Sequence, residues 1–220
     1  MSLKTSQIMG VLNANDDSFF AGSRFNSSNA LEKISSMIDD GATIIDIGAV
    51  SSKPGSVGVS KEEELLRIKP IIDTIFENKL YEQVQFSIDS YEPTVIEYAL
   101  QNKFSIVNDI TGLDNDEVAR VTSKYNASIV VMHMLGTPKD MQNNPQYEDV
   151  VKDIDAFFKQ RIQKAKDFGI KNIILDVGIG FGKTLEHNLK LLKYLDHFKH
   201  FGYEILLGAS RKSMIDKIVP

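Results

Sequence analysis

The sequence predicts an α/β fold of the (β/α)8 TIM-barrel type, with about seven βα units present in the chain. Three observations lead there. Short β-branched runs alternate with longer stretches of helical period along the 220 residues. Those runs are nearly continuous in apolar residues, as strands buried on both faces of a parallel sheet must be. No glycine-rich dinucleotide fingerprint follows the first run, which weighs against an open doubly wound sheet.

Taken in order, the expected strands cover residues 7–12, 42–48, 84–89, 105–109, 128–132, 172–176 and 204–208. The first helix is expected to open on Asn29 and Glu32, which have capping-box spacing. It buries Leu31, Ile34, Met37 and Ile38 and stops at Gly41. Ser60 and Glu63 repeat the box before Leu65, Leu66 and Ile68, with Pro70 as a kink or boundary. Pro93 suits a first helical turn ahead of Val95, Ile96, Ala99 and Leu100. Two long helices follow, 147–168 and 185–201, closed by Gly169 and Gly202. Repeated βα units imply right-handed parallel crossovers. With no linker or repeat in view, one domain is expected over residues 1–220. A closed barrel of this type has eight strands. The chain stops at Lys217-Ile218-Val219-Pro220, inside the seventh helix, so the barrel is expected to be C-terminally incomplete.

Composition narrows the function classes. The chain is 42% hydrophobic and 25% charged, with a formal net charge of −5 and no cysteine. Disulfides and thiolate metal sites are thereby excluded. Acids and bases are interspersed, without the basic stripe that nucleic-acid binding needs. The N-terminal MSLKTSQIMG lacks the apolar core of a signal peptide, and no apolar run reaches membrane-spanning length. A soluble cytoplasmic protein is expected, without nucleic-acid or membrane partners.

The chemistry lies where the strands finish. Asn13, Asp89, Asn108-Asp109, Met132-His133 and Asp176 finish the first and the third to sixth strands, the second runs through Asp46, and the seventh leads to Ser210-Arg211-Lys212-Ser213. In a barrel these ends converge on the face that carries active sites. Any one of them alone reads more readily as a loop-start Asx cap. Repetition is harder to explain by turn chemistry, because Asp and Asn are poor strand residues. Buried carboxylates and carboxamides suit a flat heterocycle rich in N–H and C=O groups. One carboxylate can take two parallel hydrogen bonds from an amino-amidine edge, such as that of a 2-amino-4-oxo pterin.

Several runs carry a family resemblance. Met9-Gly10-Val11-Leu12-Asn13 with Asp17-Ser18-Phe19 resembles the first signature of the dihydropteroate synthases. Residues 41–48 with Ser51-Ser52-Lys53-Pro54-Gly55 resemble the second. Ser87-Ile88-Asp89-Ser90-Tyr91, Val107-Asn108-Asp109-Ile110, Met132-His133-Met134, residues 176–184 and Ser210-Arg211-Lys212-Ser213 match in order and spacing. The resemblance implies an enzyme, a transferase of folate biosynthesis. It would condense (7,8-dihydropterin-6-yl)methyl diphosphate with 4-aminobenzoate, giving 7,8-dihydropteroate and pyrophosphate. By that resemblance Ser52, Asp89, Asn108, Met132, Asp176, Gly208 and Lys212 hold the pterin diphosphate. Phe19, Lys53, Pro54, Phe181 and Ser213 frame the aminobenzoate, and Asn13 contacts the Mg2+ cofactor. Asp89, Lys212 and Lys53 are the implied catalytic groups. It also implies a homodimer and a sulfonamide target. The chain departs from the family pattern where Asn15-Asp16 replace Thr-Pro and Lys53 replaces arginine. It also ends before the family's Arg-x-His strand.

Two other readings share these residues. A methyltetrahydrofolate-binding methyltransferase domain uses a similar barrel and Asp/Asn pocket without a diphosphate clamp. A non-catalytic, truncated pterin-binding module would bind without turnover. The tempting motifs read blandly. Gly178 to Thr184 ends in Gly-Lys-Thr, yet is one residue short of a Walker A loop. His133 reads equally as a hydrogen-bonded group beside the site or as a ligand. His197 and His200, at i and i+3 with no third ligand nearby in sequence, read as surface residues. His187 lies on the same expected helix, and the Glu62-Glu63-Glu64 run complements a helix N-terminus.

Overall fold

The structure is a computed structural model and describes residues 6–14, 27–51, 55–56 and 58–218. The side chains of 27, 28, 213, 216 and 217 are outside that description. Two compact units emerge, one drawn from Met1–Ser51 and Gly58–Asn108, the other from Ser52–Val57 and Asp109–Pro220.

The first unit runs β1 (Met9–Asn13), α1 (Ser27–Asp39), β2 (Ile44–Gly48), α2 (Lys61–Glu77), a 3-10 turn (Leu80–Glu82), β3 (Gln85–Asp89), α3 (Pro93–Gln101) and β4 (Ile106–Asp109). Neighbouring strands pair in parallel, β1 with β2, β2 with β3 and β3 with β4. Ile45, Ile47, Phe86, Ile88 and Val107 on the strands are fully buried. So are Ile68, Ile71, Ile72 and Ile75 on α2, and Val95, Ile96 and Ala99 on α3. Phe86 and Phe104 pack with ring centroids 5.4 Å apart. Fully burying an aliphatic side chain of this size is worth about 1.5–3 kcal/mol, which is why strand and helix form as a pair.

Local chemistry sets most helix ends. Ser60 caps α2, its hydroxyl accepting from the Glu63 N–H at 3.2 Å. Pro70 neither ends nor divides this helix, which continues to Glu77. The buried isoleucines on both sides of Pro70 outweigh its missing N–H. Pro93 stands at the start of α3 as expected. The Asn29 cap is corrected: α1 is already helical at Ser27, so Asn29 lies inside its first turn.

The second unit runs α4 (Asp116–Lys124), β5 (Ser128–Met132), α5 (Val150–Asp167), β6 (Ile173–Asp176), α6 (Leu185–Lys193), a 3-10 helix (Leu195–Phe201), β7 (Glu204–Leu206) and α7 (Ser213–Ile218). β5, β6 and β7 pair in parallel. Seven βα units of the (β/α)8 type are therefore present, as the sequence predicts. Helix α4 was absent from the sequence reading. Its signal was the Asn115 cap, which accepts from the Glu117 N–H at 2.9 Å.

The expected helix over 185–201 is corrected too. It is α-helical only to Lys193 and then tightens to 3-10. Leu195, Phe198 and Phe201 recur every three residues, the period of a 3-10 helix and not of an α-helix. Phe198 is fully buried and packs edge-on against Phe158 of α5 at 5.6 Å. Gly202 then closes the segment in the left-handed region at φ 78. Among the described residues no helix is long and apolar enough to cross a membrane.

Candidate active site

In the first unit the strand ends fall in one row. Asn13 registers with Gly48, Gly48 with Asp89, and Asp89 with Asn108. In-register residues of a parallel sheet point to the same face. Asn13, Asp89 and Asn108 therefore share a face, and Gly48 is the gap between two of them. A Cβ at Gly48 would sit 3.1 Å from Asp89 Oδ2, so glycine gives this carboxylate its room.

Asp46 lies two residues behind Gly48 on the same face. It is almost fully buried, and Asn108 Nδ2 donates to its Oδ2 at 2.9 Å. Burial raises the Asp46 pKa above the ordinary carboxylate value, and the neighbouring Ser87 hydroxyl and the Asn108 hydrogen bond offset only part of that. Asp46 Oδ1 and its register neighbour Ser87 Oγ have no hydrogen-bond partner among the described residues. Using one Nδ2 proton on Asp46 fixes the Asn108 carboxamide and leaves its oxygen and second N–H for other partners. Asp46 is one of the polar strand residues that point to a site from sequence alone. Its tie to Asn108, 62 positions away, was invisible there.

Behind Asp89 the chain is held by a second buried carboxylate. Glu64 of α2 accepts from Ser90 Oγ at 2.6 Å, and the Ser90 N–H donates to Asn108 O at 3.3 Å. Burial raises the pKa of Glu64, opposed by the Ser90 bond.

Asp109, at the end of β4, is the bland case. Its carboxylate accepts from the N–H and hydroxyl of Thr111 and from the N–H of Leu113, which closes a turn. The Asx-cap reading is the correct one there.

The second unit builds a different set. Met132 registers with Asp176, and Asp176 with Leu206. Asp176 Oδ1 accepts from the Gly178 N–H at 2.8 Å, and a Cβ on Gly208 would meet Oδ2 at 3.8 Å. The Lys212 ammonium lies 4.0 Å from the Phe181 ring centroid, and its stem packs on Gly180. Burial raises the pKa of Asp176, opposed by the Gly178 N–H and by the charges of Lys183 and Lys212. Burial lowers the pKa of Lys212, opposed by Asp176. The opposite charges thus offset only part of the burial that pushes each group toward its neutral form.

The glycine-rich run 178–182 is clamped from several sides. Gln142 Nε2 donates to Gly180 O, Tyr147 Oη to Gly182 O, and the Gly180 N–H to Asn188 Oδ1. A Cβ at Gly178 would lie 1.9 Å from His133 O, so no side chain fits. Lys183 is buried, with Nζ 3.0 Å from His133 Nδ1, 3.1 Å from His133 O and 2.8 Å from Phe181 O. Burial lowers its pKa to about 7, and burial with the Lys183 charge lowers that of His133 to about 3. Lys183 is therefore an internal tie. The P-loop reading fails on geometry as well as on spacing, since a phosphate-binding lysine must reach outward.

Asn13, Asp89 and Asn108 are thus assembled in the first unit, and Met132, Asp176, Phe181, Gly208 and Lys212 in the second. Phe19, Ser52, Lys53, Pro54 and the Asn15-Asp16 pair lie outside the described residues, as does the side chain of Ser213. Next to them, the Gly55 N–H donates to Pro138 O at 3.0 Å. The remaining histidines find roles. His187 completes a capping box with Thr184 at the start of α6, while His197 and His200 both reach Asp155. The expectation that no third group stands near that pair is corrected.

Residues 9–220 match the family described as pterin binding enzyme. The bifunctional dihydropteroate synthase/dihydropteroate reductase of Helicobacter pylori is 44% identical over 214 residues. The match covers 97% of this chain and 56% of that protein. The dihydropteroate synthase of Haemophilus influenzae is 39% identical over 222 residues, covering 100% of this chain and 80% of that protein. Among solved structures, the Clostridium difficile dihydropteroate synthase in the presence of pteroic acid superposes with a TM-score of 0.89. It is 40% identical, and the match covers 99% of this chain and 81% of that one. The Thermus thermophilus enzyme in complex with 4-aminobenzoate gives 0.85 at 35% identity, covering 96% and 76%.

Proposed function

The chain belongs to the pterin-binding enzymes and among them to the dihydropteroate synthases, and from that premise we propose how its residues serve the synthase reaction. The activity is a transfer. The amine of 4-aminobenzoate attacks the methylene carbon of (7,8-dihydropterin-6-yl)methyl diphosphate, the carbon–oxygen bond breaks and pyrophosphate leaves. The relatives carry synthase names, which favours this over methyl transfer to a corrinoid. The observation that carries the assignment is the row Asn13–Gly48–Asp89–Asn108, with acceptors at the strand ends where the family resemblance expects the pterin.

In this reading Asp89 and Asn108 take pterin N–H and C=O groups, with Asp46 holding the Asn108 amide in place. Asp176 accepts ring N–H groups, Met132 and Gly208 line the ring, and Lys212 lends positive charge. Ser52 approaches the diphosphate. Phe19, Lys53, Pro54, Phe181 and Ser213 frame the aminobenzoate, so that Asp89, Lys212 and Lys53 are the groups nearest the chemistry. Partial positive charge on the methylene develops as pyrophosphate departs, and fixed carboxylates stabilise it without any covalent intermediate.

Asn13 offers one hard oxygen donor at the exposed end of β1. That fits Mg2+, which keeps waters and substrate phosphates as its other ligands. Bound there, the ion would supply Lewis-acid stabilisation of the leaving diphosphate. A single domain, a homodimeric assembly, a cytoplasmic site of action and sulfonamide sensitivity belong to the same reading.

Pyrophosphate release from the pterin diphosphate, measured with Mg2+ and with or without 4-aminobenzoate, tests it. Release that depends on the second substrate is expected. Pterin binding without release would instead favour the non-catalytic module. Asp89→Ala and Asp176→Ala should each weaken pterin binding by about 100-fold or more, because ring N–H groups would be buried without charged acceptors. Unchanged binding by calorimetry in both variants would remove this assignment.

A further inference from the structure

We infer that Asp155, His197 and His200 form a binding site for a divalent transition metal of the zinc class, separate from the substrate chemistry. The three offer ligand atoms that all lie within 4.8 Å of one another. His197 Nε2 is 3.0 Å and His200 Nε2 2.6 Å from the same atom, Asp155 Oδ1. Bonds of about 2.0–2.2 Å to zinc fit within such spacings with small side-chain rotations.

The local fold brings them together. In a 3-10 helix, residues at i and i+3 eclipse, so His197 and His200 stand on one ridge of the Leu195–Phe201 segment. Asp155 meets that ridge from α5. The two elements are locked side by side by Phe158, which lies one turn beyond Asp155. It packs on Phe198 at 5.6 Å and on Phe201 at 6.2 Å. The imidazoles are propped in turn, His200 on Phe201 at 3.9 Å and His197 edge-on to Phe198 at 5.3 Å. Fixed ligands lower the ordering cost of binding.

The donor set selects the metal. Two imidazole nitrogens and one carboxylate suit zinc, nickel, cobalt or copper, whereas magnesium and calcium prefer all-oxygen shells. The three side chains are each a quarter to a half exposed, which leaves the remaining coordination positions to water. A bound ion would join α5 to the 3-10 segment 42–45 residues further along the chain.

Calorimetric titration of the 220-residue chain with ZnCl2, in millimolar MgCl2 to fill hard-oxygen sites, tests this. One zinc per chain is expected. His200→Asn and Asp155→Asn should each weaken it by at least about tenfold, since even losses in the shell behind the ligands cost 10–100-fold. Zinc binding unchanged in both variants, or none up to millimolar zinc, overturns the site and leaves a hydrogen-bonded clasp. A second measurement needs no variant. Cobalt(II) added to the parent chain should broaden the imidazole proton resonances of His197 and His200 ahead of those of His133 and His187. Broadening that spares the first pair would equally overturn the proposal.

Discussion

Lys183 shows how much a single buried side chain can hold. Its three N–H donors meet three acceptors, His133 Nδ1, His133 O and Phe181 O. With its pKa brought down to about 7 from 10.5, the folded chain releases a proton that the unfolded chain keeps until higher pH. Between those values the unfolded state binds more protons, so stability must rise with pH. Urea unfolding of the parent should show that rise from pH 7 to 9.5, and Lys183→Met should reduce its slope. An identical slope in the variant would mean the lysine does not titrate in that window. Nothing local marks Lys183: its partner His133 is 50 positions away. Asp89, Asn108 and Asp176 were legible because polar residues are out of place at the ends of apolar strands. Asp109 shared that pattern and proved to be a turn cap, a distinction only its hydrogen bonds reveal.

Among the elements, the strands were legible to within two residues because apolar β-branched runs have little else to do. Helix ends were legible where a cap residue stood clear, at Ser60 and Pro93. They were misread where polar residues crowd together, as at Ser27-Ser28-Asn29. The 3-10 segment was misread by period, since Leu195, Phe198 and Phe201 satisfy a three-residue repeat that also passes for a loose α-helical stripe. Helix α5 offers an element-scale test. Asp149 accepts from the N–H groups of Val151 and Lys152, and also pairs with Lys190 of α6 at 3.0 Å. Asp149→Ala should lower stability mostly through the lost cap, because a partly exposed ion pair adds little. Chemical denaturation at two salt concentrations checks this: the loss should persist at high salt, where an ion pair would be screened.

At the scale of the whole chain, alternation of strand and helix determined the fold class, and the family followed from the order of the strand-end motifs. The grouping into two compact units was not legible. It depends on contacts between residues far apart in sequence, and no linker or change of composition marks it. Nor could the sequence say which strand-end groups meet, since that is a matter of register. The row Asn13–Gly48–Asp89–Asn108 exists because four strands run in parallel with a fixed offset.

That offset makes the strands intolerant of insertions and deletions. One residue added between Phe86 and Ser87 would push either Asp89 or the apolar residues before it onto the wrong side of the sheet. Such an insertion should abolish pterin binding or folding. One residue added in the surface turn near Asn143, by contrast, should leave thermal stability nearly unchanged, because lengthening a loop twofold costs only about 0.6 kcal/mol. Length is therefore free to change between the strands of this fold, whereas the residue count inside β1 to β4 is fixed by the register they share.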